Sequence, residues 1–319
     1  MSASPPHIHP PEPVITCVGE VLIDLISTPT RDWSEIEQFV PRIGGAPANA
    51  AVAIRRLGGT SKFIGALGND APAAWIMDRL REENVDISDA PVVTGAQTRL
   101  ATVTGPVDHR TFEFYGSPAA DSLLAPEHID ASSVHQSAAI ILGSLLLLSE
   151  PGRSALHRVV EIAGHHSIPI VFDPNPRPAL WPDPQLARDL LMPIIERATV
   201  LKLGNDELEI LGLSAGQIRE RQSEQTVLVI TDGARGCWYW YGDAEMRHVP
   251  SISVDALDST GAGDAFNAAL TLGMAERGQA FNEEDVRLAN IVGALATTRH
   301  GAMDALPWRS DVDQARETN

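Results

Sequence analysis

Near its carboxyl end the sequence reads DSTGAGD at residues 258–264, and the apolar run AFNAAL follows at residues 265–270. Gly261 and Gly263 allow backbone angles that other residues avoid, and they let a ligand approach the main chain closely. The run that follows predicts a helix, whose first N–H groups lack partners within the helix and point at the glycine turn. Such N–H groups attract anions, so this stretch predicts a phosphate-binding turn.

Asp264 lies inside this turn, where a carboxylate is placed to accept a proton from a bound hydroxyl group. The alternative is that Asp264 only interacts with the N-terminus of its own helix. The stretch is not a Walker A loop, because it has no Gly-Lys-Ser/Thr, and no strand runs directly into it as in a dinucleotide fingerprint. Motifs elsewhere in the chain are needed to choose between these two interpretations of Asp264.

Apolar strands and helical segments alternate over most of the second half of the chain. Four apolar runs predict strands, at residues 139–142, 168–172, 199–203 and 227–231. Near-continuous apolar strands that alternate with helices are typical of a parallel sheet covered on both faces. The β-rich stretches at residues 27–43 and 97–115 interrupt this alternation, and we expect them to form a small sheet that acts as a lid.

Composition argues against several classes of function. The chain has 319 residues, enough to bury a large core, and its net charge of −18 argues against a nucleic-acid partner. No apolar run reaches the roughly 18 residues of a membrane-spanning helix, so no membrane partner is expected. Residues 1–13 predict a flexible arm and not a secretory signal, and Cys17 and Cys237 predict buried thiols. A reducing, cytoplasmic location is expected.

Several motifs resemble those of the ribokinase-like (PfkB) carbohydrate kinases. GGAPAN at residues 44–49 resembles the N-terminal signature of the family, and residues 258–264 resemble its C-terminal signature. Four further features resemble the fructokinases in particular: Gly19-Glu20 with Asp24, FEFY at 112–115, DPNPR at 173–177 and the stretch 202–209. The resemblance implies a three-layer α/β/α fold with a mostly parallel central sheet and a small β-sheet lid. It places one kinase domain at residues 14–308 and a tail at 309–319.

For catalysis, the resemblance implies that Asp264 is the base that takes a proton from the sugar hydroxyl group. It implies that the backbone N–H groups of Gly261, Ala262 and Gly263 form an anion hole for the transferring phosphoryl group. Arg177 resembles a fructokinase arginine near the transferred phosphate, and the alternative is a plain turn arginine.

For sugar binding, the resemblance implies six residues: Asp24, Gly44, Gly45, Asn49, Arg99 and Phe114. Asp24 is expected just after the first strand as a hydroxyl acceptor. Asn49 carries both a donor and an acceptor, which suits neighbouring hydroxyl groups, and its alternative role is a helix cap. Arg99 and Phe114 resemble lid residues, whereas Phe112 and Tyr115 are expected only to pack the lid.

For nucleotide binding, the resemblance implies six further residues: Lys202, Glu207, Thr231, Gly233, Gly236 and Asn290. Glu207 matches the glutamate of the Asn-x-x-Glu motif of the family, which binds Mg²⁺ through water, although Gly204 replaces the asparagine here. Asp258 and Thr260 resemble ligands of a monovalent-cation site, with K⁺ as the candidate ion. Carbonyl groups from residues 297–305 would complete that site, and Ala305 stands where some relatives carry a serine.

These features predict an ATP-dependent sugar kinase, with D-fructose as the first choice of substrate. The alternatives within the enzymes are a kinase of 2-keto-3-deoxygluconate or ribose, and a nucleoside kinase, against which the fructokinase-like motifs argue. A sugar sensor that kept the fold without activity is the alternative from another class of protein. The expected partners are ATP and a small sugar, and the family suggests a homodimer formed through the lid.

Overall fold

The computed structural model describes residues 12–28, 33–105, 111–116, 118–176, 180–181, 183–242 and 244–318. Its strands, numbered in chain order, are β1 Val14–Val18, β2 Leu22–Ser27, β3 Phe39–Gly44, β4 Thr60–Ile64, β5 Leu67–Gly68, β6 Val92–Val93, β7 Leu100–Thr104, β8 Thr111–Tyr115, β9 Ala139–Leu142, β10 Ile170–Phe172, β11 Val200–Gly204, β12 Val227–Thr231, β13 Cys237–Trp240 and β14 Arg247–Val249.

The helices, also numbered in chain order, are α1 Ala46–Arg56, α2 Ala71–Glu82, α3 Ala131–His135, α4 Gly152–His165, α5 Pro184–Ile195, α6 Asn205–Leu211, α7 Ala215–Arg219, α8 Ala262–Glu276, α9 Glu283–Ala296, α10 Ala302–Ala305 and α11 Arg309–Thr318. Several helices begin where a side-chain oxygen accepts a hydrogen bond from a backbone N–H that has no partner within the helix. Asp70 accepts from the N–H of Ala73 at the start of α2, and Asn282 with Asp285 forms a capping box at α9.

The main sheet has eight strands in the order β14-β13-β12-β11-β10-β9-β1-β4. Every pairing from β4 to β12 is parallel, and β13 and β14 join in antiparallel fashion. Ile141 faces one apolar core, whereas its neighbours Ile140 and Leu142 face a second one. Helices therefore cover both faces of the sheet, as the near-continuous apolar strands predict.

A second sheet has the strand order β3-β2-β7-β8 and forms the predicted lid. Both stretches predicted for the lid contribute strands to it, but the sequence interpretation missed β2. Asp24 accordingly lies inside β2 and not in the turn after the first strand. In the strand register, Asp24 lies opposite Arg42 of β3 and Ala101 of β7. The apolar neighbours of Asp24 therefore belong to a strand of the lid.

The described residues confirm a further expectation, which concerns the two cysteines. Cys17 and Cys237 are buried free thiols, and no described helix has the length and apolar character needed to cross a membrane. Residues 309–318, which the sequence interpretation assigned to a tail, form α11 and bury Val312. Of the arm predicted at 1–13, residues 1–11 lie outside the described residues.

Candidate active site

Two cavities adjoin at the carboxyl ends of the parallel strands, where ligands bind in open α/β sheets. The first, of about 450 Å³, lies under the lid, and we call it the sugar-side cavity because four of the six predicted sugar residues line it: Asp24, Gly45, Asn49 and Phe114. The second, of about 470 Å³, is lined by residues predicted to bind nucleotide, and we call it the nucleotide-side cavity. Lys202, Ser259 and Gly263 line both cavities, so the two meet at this point.

Asp264 lines the sugar-side cavity from the first turn of α8. Its Oδ2 accepts a hydrogen bond of 2.8 Å from Nδ2 of Asn49, which lies 215 residues earlier on α1. The N-cap of α8 is Gly261, and no side chain caps that helix. Asn49 does not cap α1 either, because Gly45 is the N-cap there. Asn49 therefore does not have the cap role, and its amide fixes one carboxylate oxygen of Asp264, which lies in the first turn of α8 where it can also interact with the helix N-terminus.

The glycine turn before α8 has the geometry that the sequence predicts. Gly261 adopts a left-handed conformation with φ of +84°, which a residue with a side chain would adopt only under strain. A methyl group at Gly263 would lie 3.1 Å from Nζ of Lys202. The N–H of Ala262 donates to the carbonyl of Ser259 at 3.2 Å, so its predicted place in the anion hole requires that bond to open.

Asp24 lines the sugar-side cavity and is buried. A methyl group at Gly44 would collide with the Asp24 carboxylate, and one at Gly45 would lie 2.6 Å from the carbonyl oxygen of Glu20. Gly45 itself has φ of +107°. These glycines therefore allow β2, β3 and the start of α1 to approach one another closely beside the cavity.

The lid strand β8 contributes two aromatic rings to the sugar-side cavity, Phe112 and Phe114. The expectation that Phe112 only packs the lid is therefore wrong, because alternate residues of a strand share one face. Tyr115 points to the other face, where it is exposed and donates to Glu113.

Of the two predicted arginines, Arg99 is among the described residues and contacts an aspartate instead of lining the sugar-side cavity. Nε of Arg99 donates to Oδ2 of the buried Asp121 at 2.7 Å, and Arg99 does not line the cavity. Contact between Arg99 and a sugar would require this ion pair to open. Arg177 lies outside the described residues.

Lys202 stands in a buried cluster of charges where the two cavities meet. Its Nζ lies 3.0 Å from Oδ2 of Asp173 and 3.8 Å from Oε1 of Glu207. Although burial lowers the pKa of Lys202, these two carboxylates raise it above its ordinary value, so the ammonium stays charged. Asn267 also donates to Oδ2 of Asp173, at 2.9 Å. A fixed positive charge therefore faces the glycine turn.

Glu207 lies in the first turn of α6 and is buried. Burial raises the pKa of Glu207 to about 7, although the ammonium of Lys202 favours the charged form. Within the described residues, Oε2 of Glu207 and Oδ1 of Asp173 are buried without a hydrogen-bond partner. Carboxylate oxygens in this state fit a hydrated divalent cation.

Glu20 lies two residues after the end of β1 and forms part of the sugar-side cavity wall. Its Oε1 accepts from the N–H of Ala46 at 3.2 Å, and its Oε2 is buried without a hydrogen-bond partner among the described residues. Burial raises the pKa of Glu20 to about 7, and the nearby carboxylates of Asp121 and Asp264 add to the effect.

The nucleotide-side cavity is lined by the loop after β12, by the segment after β14 and by helix α9. Four predicted residues line it: Thr231, Gly233, Gly236 and Asn290. Gly233 and Gly236 have φ of +52° and +94°, so both glycines make the turn possible. Nδ2 of Asn290 donates to the carbonyl of Val249 at 3.0 Å, which ties α9 to the segment after β14.

Asp258 organises the loop before the glycine turn. Its Oδ1 accepts from N–H and Oγ1 of Thr260 at 3.1 and 2.7 Å, and its Oδ2 accepts from the N–H of Gly301 at 3.1 Å. The carbonyl of Thr297 already accepts from two N–H groups, and residues 302–305 form α10. Among the described residues, no three His, Cys, Asp or Glu side chains cluster as metal ligands would.

The sequence interpretation assigned no role to several residues of the site: Glu20, Asp173, Asn267, Gly143 and Ser144. Gly143 and Asp173 directly follow parallel strands and Glu20 lies two residues after one, and that position is the signal that could have identified them. Asn267 lies three residues after Asp264 and therefore on a neighbouring position of the α8 surface.

Comparison with known proteins agrees with this geometry. The profile of the pfkB family carbohydrate kinases matches residues 13–309. Probable fructokinase-2 of Arabidopsis thaliana is 36% identical over 308 residues, which cover 92% of this chain and 93% of the relative. Fructokinase-1 of Zea mays is 35% identical over 316 residues, covering 95% and 98%.

Two solved structures share the fold over nearly the whole chain. A fructokinase from Xylella fastidiosa with bound ATP is 30% identical, has a TM-score of 0.83, and the match covers 96% of this chain and 99% of that one. A fructokinase double mutant from Vibrio cholerae O395, in its fructose, ADP and potassium bound form, is 29% identical with a TM-score of 0.82, covering 95% and 98%.

The chain belongs to the pfkB family of carbohydrate kinases, and its ribokinase-like fold is confirmed. It is an ATP-dependent sugar kinase of the fructokinase-like type. A sugar and ATP are its small-molecule substrates.

Proposed function

We propose that this kinase transfers the γ-phosphoryl group of ATP to the 6-hydroxyl group of D-fructose, giving fructose 6-phosphate and ADP. The observation that carries the proposal is the Asp264 carboxylate, which Asn49 holds beside the point where the two cavities meet. Relatives named fructokinases, one of them solved with fructose and ADP, support fructose as the sugar.

Asp264 acts as general base in this mechanism. Its carboxylate accepts the proton of the sugar hydroxyl group while that oxygen attacks the γ-phosphorus of ATP. The bond from the γ-phosphorus to the bridging oxygen breaks in the same step, ADP leaves, and Asp264 later releases the proton to solvent. The transfer is direct and in line, with no phosphorylated side chain as an intermediate.

Charge on the transferring group is stabilised beside Asp264, at the start of the same helix. The start of α8, with the N–H groups of Gly261, Ala262 and Gly263, lies next to the ammonium of Lys202. The ammonium of Lys202 is a fixed charge that stabilises a transition state without reorganising, whereas the N–H of Ala262 takes part only once its bond to Ser259 opens. We assign Arg177 a supporting role beside the same phosphate.

Mg²⁺ is the divalent ion that we propose for this reaction. The unpartnered carboxylate oxygens of Asp173 and Glu207 would hold it through water, and the bound ion would neutralise charge on the ATP phosphates. K⁺ is the proposed occupant of the loop around Asp258 and Thr260. The potassium ion in the Vibrio cholerae structure supports that choice.

A homodimer through the lid is also part of the proposal. Trp33, Val40 and Tyr115 in and beside the lid sheet expose 51%, 38% and 46% of their surface, so apolar area remains open there. Analytical ultracentrifugation at micromolar concentration tests this, and a monomer at all concentrations would exclude it. A cytoplasmic location remains a prediction.

The sugar is tested by ADP release with ATP and Mg²⁺ on a panel of acceptors, each with and without K⁺. The panel contains fructose, glucose, mannose, ribose, 2-keto-3-deoxygluconate and adenosine, with a reaction lacking acceptor as the blank. Turnover on fructose well above the others is expected. Preference for another acceptor would exclude fructose as the substrate, and silence on all of them from folded, ATP-binding protein would favour a sensor.

A further inference from the structure

Helix α8 buries an amide side chain in an otherwise apolar stretch. Between Ala265 and Ala275 every position of the helix is apolar or glycine, except Asn267 and Thr271. Asn267 is only 2% exposed, and its Oδ1 has no hydrogen-bond partner among the described residues. Burying an amide with one polar atom unpaired is unfavourable, so packing of the core does not explain an asparagine at this position.

The other end of that amide holds the carboxylate of Asp173, which directly follows β10. Nδ2 of Asn267 donates to Oδ2 of Asp173 at 2.9 Å, and Nζ of Lys202 lies 3.0 Å from the same oxygen. Oδ1 of Asp173 is buried without a hydrogen-bond partner among the described residues. Two donors from different elements, α8 and β11, therefore restrict the carboxylate and leave its second oxygen as an acceptor for a ligand.

The oxygen that Asn267 holds lies beside the glycine turn. A methyl group at Gly263 would lie 3.1 Å from Nζ of Lys202 and 3.6 Å from Oδ2 of Asp173. Gly263 and Asn267 lie one helical turn apart on α8. The amide therefore ties the Asp173 carboxylate to the same helix that carries the turn and Asp264.

Asn267 itself is not among the described residues that line the sugar-side or the nucleotide-side cavity. Asp173 lines the first, and Lys202 lines both. Any effect of Asn267 on a ligand therefore passes through these two residues. Without the amide, the ammonium of Lys202 would be the remaining described donor to Asp173, and it also lies 3.8 Å from Oε1 of Glu207. The ammonium would then be less firmly held beside the turn.

We propose that Asn267 is a positioning residue for phosphoryl transfer. Its amide holds Oδ2 of Asp173 on the ammonium of Lys202, which keeps the ammonium against the glycine turn and leaves Oδ1 of Asp173 for a hydrated divalent ion. The inference rests on the proposed function, because that function supplies the ion and the transferred group. Replacing a residue that orients the groups around a metal ion typically changes metal affinity or activity by about 10- to 100-fold.

The variant Asn267→Leu tests the proposal, because leucine is similar in size and has no donor. Calorimetric binding of a non-hydrolysable ATP analogue, with Mg²⁺ and with EDTA, gives the factor by which Mg²⁺ strengthens nucleotide binding. We expect this factor to be about tenfold smaller in the variant than in the wild type. We also expect kcat with fructose to fall at least about tenfold, and KM for fructose to change less than kcat.

Thr271→Val is the matched control. Thr271 is equally buried on α8, and its Oγ1 donates to the backbone carbonyl of Asn267 at 2.6 Å, so the variant removes one buried hydrogen bond from the same helix without removing the donor to Asp173. We expect its Mg²⁺ factor and kcat to equal those of the wild type. Wild-type values in folded Asn267→Leu, or an equal loss in both variants, would overturn the proposal.

A double-mutant cycle checks the route of the effect. Because Asn267 acts through Asp173, adding Asn267→Leu to Asp173→Asn should lower the Mg²⁺ factor by less than about twofold more. Independent losses that multiply would contradict this route. Should Asn267→Leu not fold, Asn267→Ser, which retracts the donor by one bond, replaces it in every measurement. A wild-type protein whose ATP binding ignores Mg²⁺ would instead refute the ion of the proposed function, and this inference with it.

Discussion

The sugar-side and nucleotide-side cavities meet at Lys202 but differ in how they are built. The sugar side is lined by buried carboxylates from separate parts of the fold, among them Asp24 on β2 and Asp264 on α8, and by two lid phenylalanines. The nucleotide side is lined mainly by small and apolar residues, among them Ile252, Val254 and Phe266. Directional buried acceptors discriminate among hydroxyl patterns, whereas a mostly apolar wall accepts a flat ring and leaves orientation to a few polar groups.

The difference has an energetic consequence. Carboxylates that are buried together destabilise the folded protein when no ligand is bound, because each disfavours the charge of the others. Residues such as Glu20 and Glu207 therefore store unfavourable charge in the empty cleft, which hydroxyl donors and a cation can relieve. No carboxylate is among the described residues that line the nucleotide-side cavity, and the following predictions separate the two sides.

The largest effect is expected from replacing Asp264, which should slow phosphoryl transfer and leave nucleotide binding unchanged. Asp264→Asn keeps the shape and a carbonyl oxygen for Asn49 but cannot take the proton. We expect kcat to fall by about 100-fold or more, while ATP affinity changes little. Steady-state rates with fructose and calorimetric ATP binding measure the two quantities. Near-normal turnover would remove Asp264 as the base.

Lys202 lies at the junction, so its loss should affect both sides. Lys202→Met leaves the buried carboxylates of Asp173 and Glu207 without their cation, and we expect the free energy of unfolding to fall by about 3 kcal/mol. We also expect weaker ATP binding. Urea unfolding and calorimetry measure these effects.

Lys62 offers a matched control for that variant, because it also pairs with two carboxylates, Asp86 and Asp89, away from both cavities. Lys62→Met should lower stability less, since Asp86 is half exposed, and should leave ATP binding unchanged. Equal losses in the two variants would mean that the junction is no more sensitive than an outer ion pair.

The smallest effect concerns pH. Burial raises the pKa of Glu20, and that of Glu207, to about 7 from an unfolded value near 4.5. The folded protein therefore binds more protons than the unfolded chain between these values, and the stability that these groups give below about pH 4.5 is lost as pH rises through about 7. We expect the Tm of the ligand-free protein to fall by a few degrees between pH 5.5 and 7.5.

The pH effect should be smaller in Glu20→Gln, which has no charge to bury at that position. Differential scanning calorimetry of both proteins without nucleotide or divalent ion makes the comparison. A wild-type Tm that is flat or rises across this interval, or an identical slope in the variant, would contradict the buried-carboxylate account.

The sequence alone predicts the near-continuously apolar strands of the main sheet and the motifs that carry chemistry. Ala139–Leu142 and Val227–Thr231 are predicted to the residue, because near-continuous apolar runs signal buried parallel strands. Strand β2 was missed, because its partners β3 and β7 are defined by tertiary pairing and not by local pattern. Local sequence does not show which distant segment a half-polar strand will join.

The same limit applies to the site. The motifs identify Asn49 and Asp264 separately, but only the fold shows that one side chain bonds the other across 215 residues. Arg99 illustrates the opposite case, since its ion pair with Asp121 could not be read from the lid pattern. Glu20 belongs to a motif, but the sequence does not indicate its role, because burial, and not residue type, raises the pKa of its carboxylate.

The most direct test of the central claim is the stereochemical course of transfer from ATP made chiral at the γ-phosphorus to the sugar. Direct in-line attack by the hydroxyl group, with Asp264 as base, predicts inversion of configuration at phosphorus in the sugar phosphate. Retention would require two displacements through a phosphorylated side chain. It would contradict an active site in which the two cavities meet so that one transfer completes the reaction.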